Sequence, residues 1–234
     1  MDFSFGIITD GTCDSRINLI IDSIEKLKIP NYEIIIVGSS KLDRKNTTII
    51  EFDENIKPKW ITKKKNIITE NSKYENIVYS HDYVSYEKDW YDGFLKYGDA
   101  FNACMTKIIN YDNSRYRDWL ASFRPFNYDQ AINSTGIEWS SNHKLIPYDM
   151  KHLSKNMYFS GAYWVSKKSI MEEIPLNEDL CWGEGEDIFW SCQYRDKYDF
   201  DINPYSTAKL LKVKDPVFTL ADKNDIDKFM EIEQ

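Results

Sequence analysis

The sequence has no long apolar run, and this absence is the first constraint on its function. No segment approaches the roughly 20 apolar residues that a transmembrane helix needs. The first residues, Met1–Asp10, include acidic side chains and lack the basic stretch that precedes the apolar core of a secretory signal. We therefore expect a cytoplasmic protein without a transmembrane segment.

Cysteine pairs and an excess of positive charge are also missing. The four cysteines form no Cys-x-x-Cys pair, which argues against a structural zinc site and gives no sign of a disulfide framework. Lysine and arginine total 30 against 38 for aspartate and glutamate, so the formal net charge is -8. Without a global positive field, nucleic acid is not an expected partner.

Two common nucleotide-binding motifs are absent as well. No Gly-x-Gly-x-x-Gly fingerprint follows the first predicted strand, and no Walker A loop occurs anywhere. These absences disfavour a Rossmann dehydrogenase and a P-loop enzyme. The length of 234 residues and a 42% hydrophobic composition fit one globular domain, which we predict to span residues 1–234.

The first half of the chain alternates between predicted strands and helices. An apolar run at 3–9 precedes an amphipathic helix that Asp14 or Ser15 can cap, and a second apolar run follows at 32–37. Further strands are predicted at 47–52 and 76–80. This order predicts an α/β fold with a Rossmann-like, mostly parallel central sheet flanked by helices.

Polar loops follow three of these predicted strands, at 9–11, 38–40 and 81–83. Ligands of parallel sheets bind where the strands end, so we expect the three loops to converge on a ligand. Asp82 offers hard oxygen ligands suited to Mn²⁺ or Mg²⁺, although aspartate is also common as a turn or cap residue. The neighbouring His81 is suited either to ligation or to a hydrogen bond.

Other segments are less specific. The basic run Lys63-Lys64-Lys65, with Asn66, opens a predicted helix and fits either a solvated face or a contact to a donor phosphate or base. A helix is predicted over 86–109, an irregular acceptor-specificity loop over 124–150, and a strand over 157–166 with Ser160-Gly161 at its middle. Glycine inside a strand often marks a bulge or a close ligand approach.

The segment from Asp179 to Ser191 carries the densest chemistry. Trp182 offers a flat apolar platform, two glycines let the backbone turn, and Glu186 with Asp187 stands at a predicted helix start. This combination suits a polyol. The alternative is that both carboxylates only complement the positive end of the helix dipole.

Several of these segments resemble GT-A fold glycosyltransferases. Residues 5–11, the amphipathic helix and residues 32–38 resemble the nucleotide-binding start of family 2 transferases, and 76–82 resembles the strand carrying their Asp-x-Asp or His-Asp-Asp motif. Trp182-Gly183-Glu184-Gly185-Glu186-Asp187 is similar to the Trp-Gly-Gly-Glu-Asp segment of β-1,4-galactosyltransferases and polypeptide N-acetylgalactosaminyltransferases. The resemblance spans roughly residues 3–215.

The resemblance implies roles for individual residues. It makes Asp187 the general base of an inverting reaction, Glu186 the ligand of acceptor hydroxyls and Trp182 a stacking platform for the acceptor. Donor-binding candidates are Thr9, Asp10, Gly11, Asn66, His81, Asp82 and Gly161. Asp82 is also the implied ligand of a divalent cation, Mn²⁺ or Mg²⁺. Residues 1–110 would bind the nucleotide sugar and 111–215 the acceptor.

The sequence departs from this pattern at two places. Tyr83 stands where a second aspartate is common, and no histidine follows the acidic pair to complete a metal site, Ser206 and Lys209 being there instead. Residues 206–214 form a basic segment, and lysines in a mobile basic loop are suited to supply part of the charge that balances a diphosphate.

The function implied is an inverting transfer of a hexosyl or N-acetylhexosaminyl group from a nucleotide-linked donor, UDP being the expected nucleotide, to a saccharide or glycoconjugate. The alternative is a non-catalytic carbohydrate-binding or scaffold protein with the same fold. A nucleotidyltransferase is less favoured, because no glycine-rich loop bearing arginine or lysine follows the first strand.

Overall fold

The structure of the chain is a computed structural model that describes residues 1–122, 127–133, 142–150, 157–215 and 218–232. The strands are β1 (Phe3–Ile8), β2 (Tyr32–Val37), β3 (Thr47–Ile50), β4 (Asn76–His81), β5 (Val84–Tyr86), β6 (Ala103–Ile109), β7 (Leu120–Ser122), β8 (His143–Leu145), β9 (Met157–Tyr158), β10 (Tyr163–Lys167) and β11 (Asp201–Leu210). The helices are α1 (Asp14–Lys26), α2 (Ile61–Asn71), α3 (Trp90–Tyr97), α4 (Tyr128–Asn133), α5 (Lys168–Glu173), α6 (Glu186–Arg195) and α7 (Lys223–Ile232).

The central sheet has the strand order β3-β2-β1-β4-β10-β6-β11-β5 in the described part of the chain. Strands β1 to β4 are mutually parallel, which confirms the α/β prediction for the first half. Beyond β4 the sheet is mixed, because β10 runs antiparallel to both β4 and β6 and β5 runs antiparallel to β11. Helices flank this sheet, and a smaller sheet has the order β8-β7-β9.

Helix α1 packs its isoleucine stripe on the sheet, since Ile17, Ile20, Ile21 and Ile24 are all fully buried. The predicted caps are wrong. Cys13 occupies the N-cap position without a side-chain hydrogen bond, and Asp14 is already helical. The Asp14 carboxylate instead accepts hydrogen bonds from the Ser40 hydroxyl (2.8 Å) and the Lys41 amide (3.2 Å), which ties the loop after β2 to the helix.

The long helix predicted over 86–109 is half wrong. Helix α3 ends before Gly98, whose φ of 93° breaks the helical backbone, and residues 103–109 form β6. Strand β6 lies between β10 and β11 in the sheet, and both of its faces are covered, since four consecutive residues, 103–106, are 0% exposed. A strand buried on both faces has a continuous apolar sequence, which periodicity alone does not separate from a buried helix.

The strand predicted over 157–166 is broken at Ser160-Gly161. Strand β9 pairs with β7 in the small sheet, whereas β10 pairs with β4 in the central sheet. The break brings the Gly161 backbone to the open end of the central sheet. Of the predicted acceptor-specificity loop at 124–150, residues 124–126 and 134–141 lie outside the described residues, and the rest includes α4 and β8.

Aromatic side chains fill much of the core. Trp90, Trp119, Trp164 and Trp190 are all less than 3% exposed, and the Trp164 and Trp190 rings stack at 5.9 Å. The described helices include none with the length and apolar character needed to cross a membrane.

Candidate active site

The loops that follow β1 and β4 meet directly, as predicted. The Thr9 hydroxyl donates a hydrogen bond to Asp82 Oδ2 (2.9 Å) and accepts one from the Gly11 amide (3.1 Å). The Asp82 amide donates to the Ile8 carbonyl (3.2 Å). The loop after β2 lies beside them, since a side chain at Gly11 would come within 3.0 Å of Ser39.

A cavity of about 440 Å³ opens at these strand ends. Thr9, Asp10, His81 and Asp82 line it, so four of the predicted donor-binding residues come together. The Asp10 carboxylate faces solvent, and its pKa is lowered first by hydrogen bonds from the Thr12 hydroxyl (2.6 Å) and amide (3.0 Å). Five cations also line this cavity: Arg16, Lys59, Lys64, Lys212 and Lys214.

The three lysines at the start of α2 hold separate segments of the site together. Lys63 pairs with Glu178 (3.0 Å), Lys64 donates to the Thr9 carbonyl (2.7 Å) and pairs with Glu54, and Lys65 donates to the Gly161 carbonyl (2.8 Å). Lys64 and Lys65 are 3% and 1% exposed. The solvated-face interpretation is therefore wrong for these two lysines, because their ammonium groups lie under the loops that they connect.

The acidic pair begins α6, as the sequence predicts. Gly185 precedes it with a φ of 71°, a left-handed conformation that glycine adopts without strain. The Gly161 amide donates to Asp187 Oδ2 (2.7 Å) and the Ile188 amide to Asp187 Oδ1 (2.9 Å). A Cβ atom at Gly161 would lie 2.9 Å from Glu186 Oε1 and 3.1 Å from Asp187 Oδ2, so glycine lets both carboxylates approach this part of the backbone closely.

Burial is the largest cause of the pKa shifts of both carboxyl groups in the pair. It raises the pKa of Glu186 to about 7, with the negative charge of Asp187 as the second cause. Burial also raises the pKa of Asp187. Backbone N–H groups and Lys65 oppose this rise at Asp187, and Lys65 and a backbone N–H group also oppose it at Glu186.

Lys65 is a site residue whose contacts the sequence did not reveal. Its ammonium group lies 4.5 Å from the centre of the Trp164 ring and interacts with both carboxylates of the pair. Burial lowers the Lys65 pKa and the two carboxylates raise it. The pKa of His81 is lowered by loss of hydration and by Lys65, Lys214 and Lys212, which favours a neutral imidazole.

A second cavity, of about 780 Å³, holds the acidic pair. Gly161, Trp182, Glu186 and Asp187 line it, together with Arg117 and Tyr128. The Trp182 ring is 57% exposed, with the Lys59 ammonium 4.8 Å from its centre. His81, Tyr83, Trp182 and Lys214 line both cavities, so the two adjoin.

Two predicted donor-binding residues do not line either cavity. Gly11 turns the loop after β1, with a φ of 80°. The side-chain amide of Asn66 forms hydrogen bonds with the segment before the acidic pair. It donates to the Leu176 carbonyl (2.9 Å) and to Glu178 Oε1 (3.0 Å), and it accepts from the Leu176 amide (3.1 Å).

The residues around Asp82 do not fit the predicted divalent cation. Asp82 already accepts from Thr9, and the Arg16 guanidinium lies 3.6 Å from its Oδ2. Tyr83, which follows it, accepts from Lys214 (3.3 Å). Within the described ranges, no group of three or more His, Cys, Asp or Glu side chains is suited to hold a metal ion. The oxygen ligands that a hard cation prefers are thus fewer around Asp82 than the positive side chains.

The architecture is that of the GT-A glycosyltransferases, so the resemblance expected from the sequence is confirmed at the level of the fold. GalNAc-T7, crystallised with UDP, GalNAc and Mn²⁺, matches with a TM-score of 0.61 at 13% identity over 89% of this chain. TarS 1-349 of S. aureus matches with a TM-score of 0.52 at 12% identity over 99% of this chain, and its complex with UDP-GlcNAc with 0.59 at 12% over 93%.

The match covers only part of each of these proteins. This chain spans 42% of the GalNAc-T7 chain, 64% of TarS 1-349 and 60% of the TarS 1-349 chain in the UDP-GlcNAc complex. No protein-family model matches the sequence, and no curated protein matches it in sequence.

Proposed function

We propose that the protein is an inverting glycosyltransferase that moves a sugar from a nucleotide-sugar donor, with UDP as the nucleotide, to a hydroxyl of a saccharide or glycoconjugate. One observation carries the proposal: a carboxylate pair, with Glu186 buried and Asp187 half-buried, lies in a cavity that adjoins a second, cation-lined cavity at the strand ends. Transfer between a polyol and an activated sugar phosphate needs both. The group transferred is hexosyl or N-acetylhexosaminyl, and the reaction takes place in the cytoplasm.

In this proposal Asp187 is the general base. It takes the proton of the acceptor hydroxyl as the hydroxyl oxygen bonds to the anomeric carbon of the donor. The bond between that carbon and the diphosphate oxygen breaks, and the nucleoside diphosphate keeps the electron pair. The two N–H groups that hold Asp187 fix its orientation and favour its anion, the form that accepts a proton.

The other residues position the two substrates. Glu186 and Trp182 bind the acceptor, through hydroxyl contacts and through stacking on the indole face. Thr9 and Asp10 bind the nucleoside, and Asp82 holds Thr9 and Arg16 at the donor cavity. His81, which lines both cavities, and Gly161, which lines the cavity of the acidic pair, face the sugar. Residues 1–110 form the donor half of a single domain and 111–215 the acceptor half.

The test is release of UDP from a panel of UDP-sugars, with and without saccharide acceptors. We expect Asp187→Asn to lower the rate by roughly 10²- to 10⁴-fold, the contribution of a positioned base. Asp196→Asn is the matched control, because Asp196 is exposed at the other end of the same helix. Its rate should equal that of the wild type.

The alternative is a carbohydrate-binding or scaffold protein without catalysis. It predicts that folded wild-type protein releases no more UDP than Asp187→Asn with any donor and acceptor. That result, with saccharide binding retained, would replace the enzyme assignment.

A further inference from the structure

Positive side chains cluster around Asp82 and Tyr83 at the edge of the donor cavity. The Lys212 ammonium lies 3.8 Å from the centre of the Tyr83 ring, and the Lys214 ammonium lies 3.3 Å from the Tyr83 hydroxyl. Arg16 approaches from the first turn of α1. Three cations from two distant parts of the sequence therefore line the same cavity.

The carboxylates of this cavity are already engaged. Asp10 accepts from Thr12, Glu54 pairs with Lys64, and Asp82 accepts from Thr9 and lies beside Arg16. Neither Lys212 nor Lys214 forms an ion pair with a carboxylate in the part of the chain that the structure describes. Among the described residues the two lysines thus have no ion-pair partner of their own, and Asp82 and Asp187 favour their charged forms only from a longer distance.

Two further features indicate that an anion belongs here. Arg16 Nε is buried and has no hydrogen-bond acceptor among the described residues, so a donor is left unused at the cavity wall. The pKa of Lys212 is lowered by loss of hydration and then by Lys214 and Arg16, and that of Lys214 by loss of hydration and then by Arg117. A bound anion would relieve this mutual repulsion.

We propose that Arg16, Lys212 and Lys214 bind the diphosphate of the donor in place of a divalent cation, so that the protein binds its nucleotide without metal. The inference rests on the proposed function, which supplies the nucleotide sugar. Cations with N–H donors balance the charge of a diphosphate and donate to its oxygens.

Lys214 has a further role in this arrangement, because it lines both cavities. When the bond from the anomeric carbon to the diphosphate oxygen breaks, the electron pair stays on that oxygen. A cation at the junction stabilises the negative charge that develops there.

The experiment is calorimetric titration of UDP into the purified full chain, in EDTA and in excess Mn²⁺. We expect the affinity in EDTA to lie within about threefold of that in Mn²⁺. In EDTA, Lys212→Met and Lys214→Met should each weaken binding by roughly tenfold, as expected for loss of a charge-assisted contact. Lys209→Met is the matched control, since Lys209 lies in β11, just before the segment with Lys212 and Lys214, but donates to Asn113 (2.7 Å) and does not line the donor cavity. It should bind like the wild type.

The Asp82→Asn variant distinguishes metal binding by Asp82 from diphosphate binding by the three cations, because the two predict different changes in UDP affinity. As a metal ligand, Asp82 would be needed for binding, and the variant would lose affinity in Mn²⁺. In our proposal the amide oxygen of the variant still accepts from Thr9 and lies beside Arg16, and the negative charge beside the diphosphate is removed, so the affinity stays equal or increases.

The possible outcomes are distinct. Binding only in Mn²⁺, with loss in Asp82→Asn, would overturn the cation cluster and leave the transferase proposal intact. Metal-free binding that is unchanged in both lysine variants would also overturn the cluster. Absence of UDP binding under both conditions, in protein shown to be folded by its thermal transition, would overturn the donor assignment itself.

Discussion

At the scale of single residues, the raised pKa of Glu186 makes the stability of the protein depend on pH. This pKa is about 7 in the fold against an ordinary value of 4.5, because burial disfavours the charged form. A raised carboxyl pKa adds stability that is fully present below the unfolded value of 4.5 and is lost as the pH rises through 7. At pH 8 the folded protein therefore contains a buried, charged carboxylate that lowers its free energy of unfolding.

We therefore predict that Glu186→Gln stabilises the protein at high pH. The variant's advantage in free energy of unfolding should grow between pH 5 and pH 8, to at most about 3 kcal/mol for a shift of this size. Urea denaturation at the two pH values measures it. Glu70→Gln, an exposed change on α2, is the control. An equal difference between the variant and the wild type at both pH values would contradict the assignment.

Residues of the site differ in how far the sequence predicts them. Trp182, Glu186 and Asp187 stand within one short segment, and Thr9 and Asp82 each follow a strand. Local sequence patterns are therefore enough to predict these residues as members of the site. Basic runs in the sequence mark Lys65 and Lys212 as candidates, but the groups that they meet lie far away in the chain, as in the bond from Lys65 to the Gly161 carbonyl, so no local pattern indicates those contacts.

At the scale of elements, α2 holds the segment that leads into the acidic pair. The Trp60 indole and the Thr62 hydroxyl, at the start of this helix, donate to the Glu178 carbonyl (2.6 Å) and the Leu180 carbonyl (2.7 Å). One turn further on, Asn66 makes the three hydrogen bonds to Leu176 and Glu178 described above. We interpret Asn66 as a structural residue rather than the donor ligand expected from the sequence.

The substitution Asn66→Ala tests this interpretation. It leaves the buried amide and carbonyl of Leu176 without these partners, so we expect a loss of about 2 to 4 kcal/mol in the free energy of unfolding. Urea denaturation measures that loss, and titration of the folded variant should give an unchanged UDP affinity. Asn71→Ala, an exposed change at the end of the same helix, should cost less than about 0.5 kcal/mol. A large loss of UDP affinity with normal stability would return Asn66 to the donor site.

Elements of the first half follow from sequence more directly than those of the second. The stripe of α1 and the strands β1 to β4 have their own periodicity and turn residues. Strand β6 does not, because its identity as a strand depends on β10 and β11, which come much later in the chain. The segment 101–109 therefore resembles a helix until its two neighbours are known.

At the scale of the whole molecule, the charge is distributed unevenly. The chain carries a net charge of -8, yet five cations line the donor cavity against the three carboxylates Asp10, Glu54 and Asp82. The net charge of the molecule and the local charge of the donor cavity predict opposite effects of salt on the binding of an anion. Screening a net negative protein would help an anion to approach, whereas screening a local positive cluster would weaken its binding.

We predict that the local field dominates. The Debye length is about 10 Å at 0.1 M salt, so the nearby cations act on a bound diphosphate more strongly than do the distant surface carboxylates. Raising the salt concentration from about 0.02 M to about 0.5 M should therefore weaken UDP binding by roughly threefold to tenfold. Uridine is the matched control, because it keeps the base and ribose but lacks the charge. Calorimetric titrations of both ligands across this range decide the matter: UDP binding that strengthens with salt, or that changes no more than uridine binding does, would show that the cluster does not control the affinity.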